Sequence, residues 1–167
     1  MCQEITFHTK ADIRSSFHRV EELLGSGIFE LPNSGNPFVR SALTELLILV
    51  RDLMAKAKIL VEPVEFTDDL NITKQVKNIS DAVKFVRDAI CHVDSENRNY
   101  EECNARLSYN IAYGKCKLAK IGDVEIKSDY EDDVCFFFGN QKLYLRRHIR
   151  RAYEEAKGKL LPLVEKA

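Results

Sequence analysis

The chain has 167 residues, which at roughly 150 residues per domain predicts a single domain, 1–167, large enough to bury its own core without disulfide or metal staples. Apolar residues make up 45% and charged residues 31%, a balance that excludes global disorder. The net charge is −1, so overall electrostatics exclude a whole-molecule nucleic-acid binder, and any such role needs a local patch.

The longest strongly apolar run, Leu46–Val50, is too short to span a bilayer, and the first twenty residues carry charges throughout with no signal-type stretch. Five cysteines at irregular spacing, with no C-x-x-C pair, predict a reducing, cytoplasmic compartment and no membrane association. Cys91, Cys103, Cys116 and Cys135 lack zinc-finger spacing, so neither a metal site nor a cofactor is expected.

In chain order, Lys10–Leu24 predicts an amphipathic helix through Ile13, Phe17, Val20 and Leu24. Gly25–Pro37 holds three Gly, two Pro and two Asn and predicts a loop. Ser41–Val61 predicts a long second helix on Leu43, Leu46, Val50, Leu53, Ala57 and Leu60, stopped by Pro63. A third helix is expected over Asn71–Val93, where Ile72, Val76, Ile79, Val83, Val86, Ile90 and Val93 alternate at four-three spacing. Ala82, Phe85 and Ala89 widen that stripe to about half the circumference, which implies packing against more than one neighbour, within a bundle or across a subunit interface.

A short helix is expected at Tyr100–Tyr109. The period then changes: Tyr113–Ile121, Val124–Lys127 and Val134–Phe138 predict strands, with Gly122-Asp123 as a tight turn. Asn140 is expected to cap a last helix over about Gln141–Glu165, bent or ended near Gly158 and Pro162. The predicted fold class is mainly α, a helical bundle with a small antiparallel β insertion at about 113–138, before the C-terminal helix.

Two constellations carry candidate chemistry. On the third helix, Arg87 and His92 flank Asp88 and Cys91. A histidine titrates near neutral pH and an arginine is a permanent, fork-shaped anion clamp. The five-residue step between them turns about 140° in an ideal helix, so they converge only if the helix unwinds near His92 or a second copy faces the first. The other reading is a solvated helix end with a dipole-stabilised histidine.

On the last helix, Arg146, Arg147, Arg150 and Arg151 form two i, i+4 pairs flanked by Tyr144 and Tyr153. Lys142–Lys159 carries seven Lys or Arg against two Glu, whereas Asp123–Asp133 carries six acids against one Lys. The arginines therefore either bind a phosphate backbone or neutralise the acidic hairpin within the fold.

The run Arg87-Asp88-Ala89-Ile90-Cys91-His92 resembles the R-x4-6-H signature of the HEPN superfamily, with a polar residue directly after the arginine. One common variant of that signature places a tyrosine two residues after the histidine, where this chain has Asp94. The resemblance implies a HEPN-like helical domain that pairs as a homodimer, with both motif copies lining one cleft. It also implies a metal-independent endoribonuclease in a toxin–antitoxin or antiviral role, with RNA as substrate and an antitoxin or other protein as partner. His92 would be general acid or base, Arg87 would hold a non-bridging phosphate oxygen, and Asp88 would orient either one. The alternative is a catalytically inactive HEPN-like module that binds RNA, nucleotides or another protein.

Overall fold

The structure is a computed structural model that describes residues 5–92, 94–100 and 105–165. Among the described residues, four α-helices and seven strands make a mixed α/β architecture, not the mainly helical bundle expected from periodicity. The helices are α1 (Phe7–Gly25), α2 (Val39–Leu60), α3 (Ile79–Cys91) and α4 (Arg151–Glu165). The strands are β1 (Asn99–Tyr100), β2 (Ala105–Arg106), β3 (Asn110–Tyr113), β4 (Cys116–Ile121), β5 (Val124–Ser128), β6 (Val134–Phe138) and β7 (Gln141–Tyr144).

Helix α2 is the centre of the helical layer and packs against α1, α3 and α4. Its apolar residues Leu43, Leu46, Leu47, Val50, Leu53 and Ala57 are all fully buried, as a helix with neighbours on three sides requires. The apolar face of α3, from Ile79 and Ala82 to Ala89 and Ile90, is buried within the same chain, against α2 and β7. The wide stripe of this helix is thus covered without a second copy.

The third helix begins eight residues later than its hydrophobic stripe suggests. The Thr73 hydroxyl accepts from the backbone N–H of Gln75 and Val76, at 3.2 and 3.1 Å, and the Asn78 side chain caps α3 by accepting from Asp81 N–H at 3.1 Å. Side chains that bind their own backbone in this way outcompete a helical start. Val76 still reaches the core from an irregular segment, whereas Ile72 is exposed. Val93 lies outside the described residues.

The β region is a layer of the core and not an insertion beside it. Strand β6 is the middle of a three-stranded antiparallel sheet, β3-β6-β7. Its alternate side chains enter two cores: Phe136 and Phe138 join the helical core, and Cys135 and Phe137 join a second cluster with Leu107, Ala112, Ile126 and Tyr144. The antiparallel β4-β5 ladder, turning at Gly122-Asp123, supplies Ile126 to that second cluster. A run such as Val134–Phe138, apolar at every position, is what a strand buried on both faces needs.

Further segments depart from the expected elements. Residues 99–100 and 105–106 form a short antiparallel ladder in place of the helix expected at Tyr100–Tyr109, with residues 101–104 outside the described set. Gly139-Asn140 is the two-residue turn of the β6–β7 hairpin, so Asn140 caps no helix. Gly139 has φ +52°, and a Cβ there would lie 2.3 Å from the Asn97 carbonyl oxygen, so only glycine fits. The chain becomes helical only after Tyr144, through a π-helical segment Leu145–Arg150 that runs into α4. The expected strand Tyr113–Ile121 is broken at Gly114-Lys115 into β3 and β4.

The start of that last helix is set by a distant residue. Asp133, whose side chain is fully buried, accepts from the backbone N–H of Val134, Arg146 and Arg147 at 2.8, 2.9 and 3.1 Å, and from Arg147 Nη1 at 3.1 Å. A carboxylate at exposed helix-start N–H groups is favoured by both hydrogen bonding and the helix dipole. Asp133→Asn should destabilise the fold by about 3 kcal/mol or more, the scale for breaking a buried charged pair. Urea unfolding measures this, and a loss below about 1 kcal/mol contradicts it.

His148 is buried in the π-helical segment as one neutral tautomer. Its Nδ1 accepts from Tyr144 N–H at 3.1 Å, and its Nε2 donates to the Asp68 carbonyl at 3.0 Å. Burial holds this imidazole below its usual value, so on acidification the unfolded chain takes up the proton first. The stability that the neutral ring contributes is complete above about pH 6.5 and is lost as pH falls below it. A stability titration from pH 7.5 to about 5 should show this fall, and His148→Gln should flatten it. An unchanged slope in the variant removes His148 as its origin.

Candidate functional site

Helix α3 stops at Cys91, and His92 already has extended backbone angles, φ −111° and ψ 116°, with its N–H still bonded to the Asp88 carbonyl at 3.0 Å. His92 is therefore outside the helix that would separate it from Arg87 by 140°. Its ring is exposed and has no hydrogen bond or ion pair among the described residues. Arg87 and Asp88 are brought together, with Arg87 Nη2 3.0 Å from Asp88 Oδ1, and both side chains are mostly buried. No contact among the described residues links the His92 ring to either of them.

What ends the helix is Arg98, from the turn that follows His92. It is 7% exposed, and its Nε donates to the Ala89 carbonyl at 2.6 Å and its Nη2 to the Ile90 carbonyl at 3.4 Å. These are carbonyls of the last turn, which have no partner within the helix. Asn97 Nδ2 donates to the Phe85 carbonyl at 3.1 Å. The Ser95–Asn99 turn is held in turn by the hairpin at Gly139 and by Leu107 N–H, which donates to the Arg98 carbonyl at 2.8 Å. A local sequence signal for this cap is lacking, because the contact depends on a reversal of the chain after His92.

Beside Asp88 lies an open depression of about 350 Å3, lined also by Gln75, Asp81, Lys84, Phe85 and Asn97. A carboxylate, an ammonium and a carboxamide on one rim can hold polar groups of a substrate. Cys91 is exposed at the end of α3, and the well-buried Cys135 thiol is pushed up to about 12 by burial. Cys103 lies outside the described residues. Among the described residues no three His, Cys, Asp or Glu side chains are grouped to hold a metal ion, and no helix is long and apolar enough to cross a membrane.

The four arginines of the last helix divide into two pairs. Arg147 reaches Asp132 and Asp133 at 3.0 and 3.1 Å and lies 3.7 Å over the Tyr130 ring. Arg151 pairs with Asp68 and Glu155, each at 2.9 Å, and covers the Phe66 ring. Arg146 and Arg150 are exposed, have no side-chain ion pair among the described residues, and line a groove of about 500 Å3 with Lys115, Tyr113, Glu30 and Glu131. Tyr144 and Tyr153 are buried, so neither offers a ring to a ligand on this surface.

This division generates a stability prediction. Replacing Arg147 and Arg151 together by Ala should lower Tm by about 4 °C or more, because buried Asp133 loses a partner. Replacing Arg146 and Arg150 should change stability by no more than about 0.5 kcal/mol. Thermal unfolding of the two double variants decides it, and equal losses contradict the division.

Comparison of the chain with protein-family models, with curated proteins and with solved structures gives no match.

Proposed function

We propose that the protein is a metal-independent endoribonuclease of HEPN type, with His92 and Arg87 as its reacting pair. The observation that carries this reading is the end of α3 at Cys91, which leaves the His92 ring exposed on extended backbone, released from the helix that holds the Arg87–Asp88 pair. RNA holds its own nucleophile, the 2′-hydroxyl, so the protein need supply only proton transfer and charge stabilisation. His92 takes the 2′-hydroxyl proton or gives one to the leaving 5′-oxygen. Arg87 stabilises the charge that develops on a non-bridging phosphate oxygen, and Asp88 holds the Arg87 guanidinium in place. A second copy meeting this one along the polar edge of α3 would set two such pairs around one cleft. The exposed Arg146 and Arg150 extend the surface available to the RNA backbone.

The test is cleavage of single-stranded RNA in excess chelator. Wild-type activity should persist, and His92→Ala and Arg87→Ala should each lose about 100-fold or more, with the fold retained by circular dichroism. Full activity in either variant, or activity abolished by chelator, contradicts the assignment.

A second prediction concerns RNA binding alone. If Arg146 and Arg150 contact phosphates, their joint replacement should flatten the dependence of log K on log salt by about 1 to 1.5 on single strands. An unchanged slope removes this groove from the RNA-binding surface.

A further inference from the structure

A cavity of about 410 Å3 lies between the loop at 69–71, strand β5 and the β6–β7 hairpin, away from the residues assigned to catalysis. Its volume is in the range of small-ligand sites. Tyr130 is partly exposed on its wall, and Phe137 and Tyr144 are buried behind the lining. Gln141, 1% exposed, is part of the lining, and its two polar ends differ. Nε2 donates to the Asn71 carbonyl at 3.0 Å and to Asn140 Oδ1 at 3.4 Å, whereas Oε1 is buried with no partner among the described residues. Turning the amide over would set Oε1 against the Asn71 carbonyl, so the hydrogen bonds fix its orientation. A buried acceptor left in this state costs about 1–3 kcal/mol, which an incoming N–H donor would recover.

Two more features define the chemistry. Asp69, on the wall, has φ +59°, the left-handed region that a non-glycine residue occupies at a cost and that clusters at ligand sites. The cations present are already engaged: Lys142 and Lys127 pair with Asp129. The lining therefore offers hydrogen-bond acceptors and one partly exposed ring, Tyr130, and no unpaired cation for a phosphate. A flat, neutral ring with N–H donors on its edge matches it.

We propose that this cavity binds a nucleobase. The inference rests on the RNA reading above for its biological source, a base turned out of a single strand, since unstacked bases read by hydrogen bonds to their edges are a general mode of RNA recognition. A free nucleoside presents the same chemistry from a different source.

The experiment is an NMR titration of the full chain with adenosine, guanosine, cytidine and uridine, and separately with a six-nucleotide RNA whose sugars are 2′-deoxy only at each cleavable step. The Gln141 side-chain amide and the Tyr130 and Tyr144 rings should shift saturably with at least one nucleoside at up to about 10 mM. Gln141→Met should weaken this about tenfold. Asp69→Gly, which keeps the positive φ without strain, provides a second variant of secure fold and should weaken it about threefold. A tighter response to the oligonucleotide identifies RNA as the source, and a response to nucleosides alone identifies a free nucleoside. Absence of saturable shifts with any ligand, or shifts that both variants leave unchanged, overturns the proposal. Cleavage without these shifts refutes the cavity and leaves the nuclease standing; shifts without cleavage do the reverse.

Discussion

The buried carboxylate of Asp133 is the contact on which the arrangement of the two layers depends. It sits at the start of β6 and satisfies the first free N–H groups of the C-terminal helix, while its own backbone carbonyl accepts from Gly114 N–H at the β3–β4 turn. One side chain thus fixes where the sheet ends and the helix begins. From there β6 runs between two cores and ends at Gly139, whose close approach to Asn97 braces the turn that caps α3. Strand β6 is therefore a strut between the helix start at one end and the candidate site at the other.

Elements with strong periodicity and local punctuation were legible in the sequence. Helices α1 and α2 follow their apolar spacing, and Gly122-Asp123 turns the β4–β5 ladder where the turn chemistry puts it. The errors share a cause: a contact distant in sequence or a side chain bound to its own backbone. Thr73 and Asn78 remove the first part of the expected third helix although Val76 keeps its place in the core. Gln141–Tyr144 continues the apolar spacing of the helix after it, yet pairing with β6 makes it a strand. A four-residue segment carries too little periodicity to reveal this.

The same distinction applies to the candidate site. The Arg87–His92 spacing is visible in sequence, but the release of His92 from the helix depends on Arg98, a buried cation that binds carbonyls of the turn before it. Composition pairs the basic helix with the acidic hairpin only in aggregate. The structure assigns that compensation to Arg147 through Asp132 and Asp133 and to Lys142 through Asp129, gives Arg151 to Asp68 and Glu155, and leaves Arg146 and Arg150 on the surface. No periodic argument separates residues at i, i+4 pairs that differ by one position, because burial of a carboxylate from another element makes the distinction.

The chemistry assigned to His92 and Arg87 requires that the RNA attack itself. The most direct measurement is mass spectrometry of the products from an RNA with one cleavable linkage, beside the same strand carrying a single 2′-deoxy sugar at that linkage. The account predicts a 2′,3′-cyclic phosphate or a 3′-phosphate on one fragment, a 5′-hydroxyl on the other, and no cleavage of the deoxy strand. A 5′-phosphate product, or cleavage of the deoxy strand at the same bond, contradicts it.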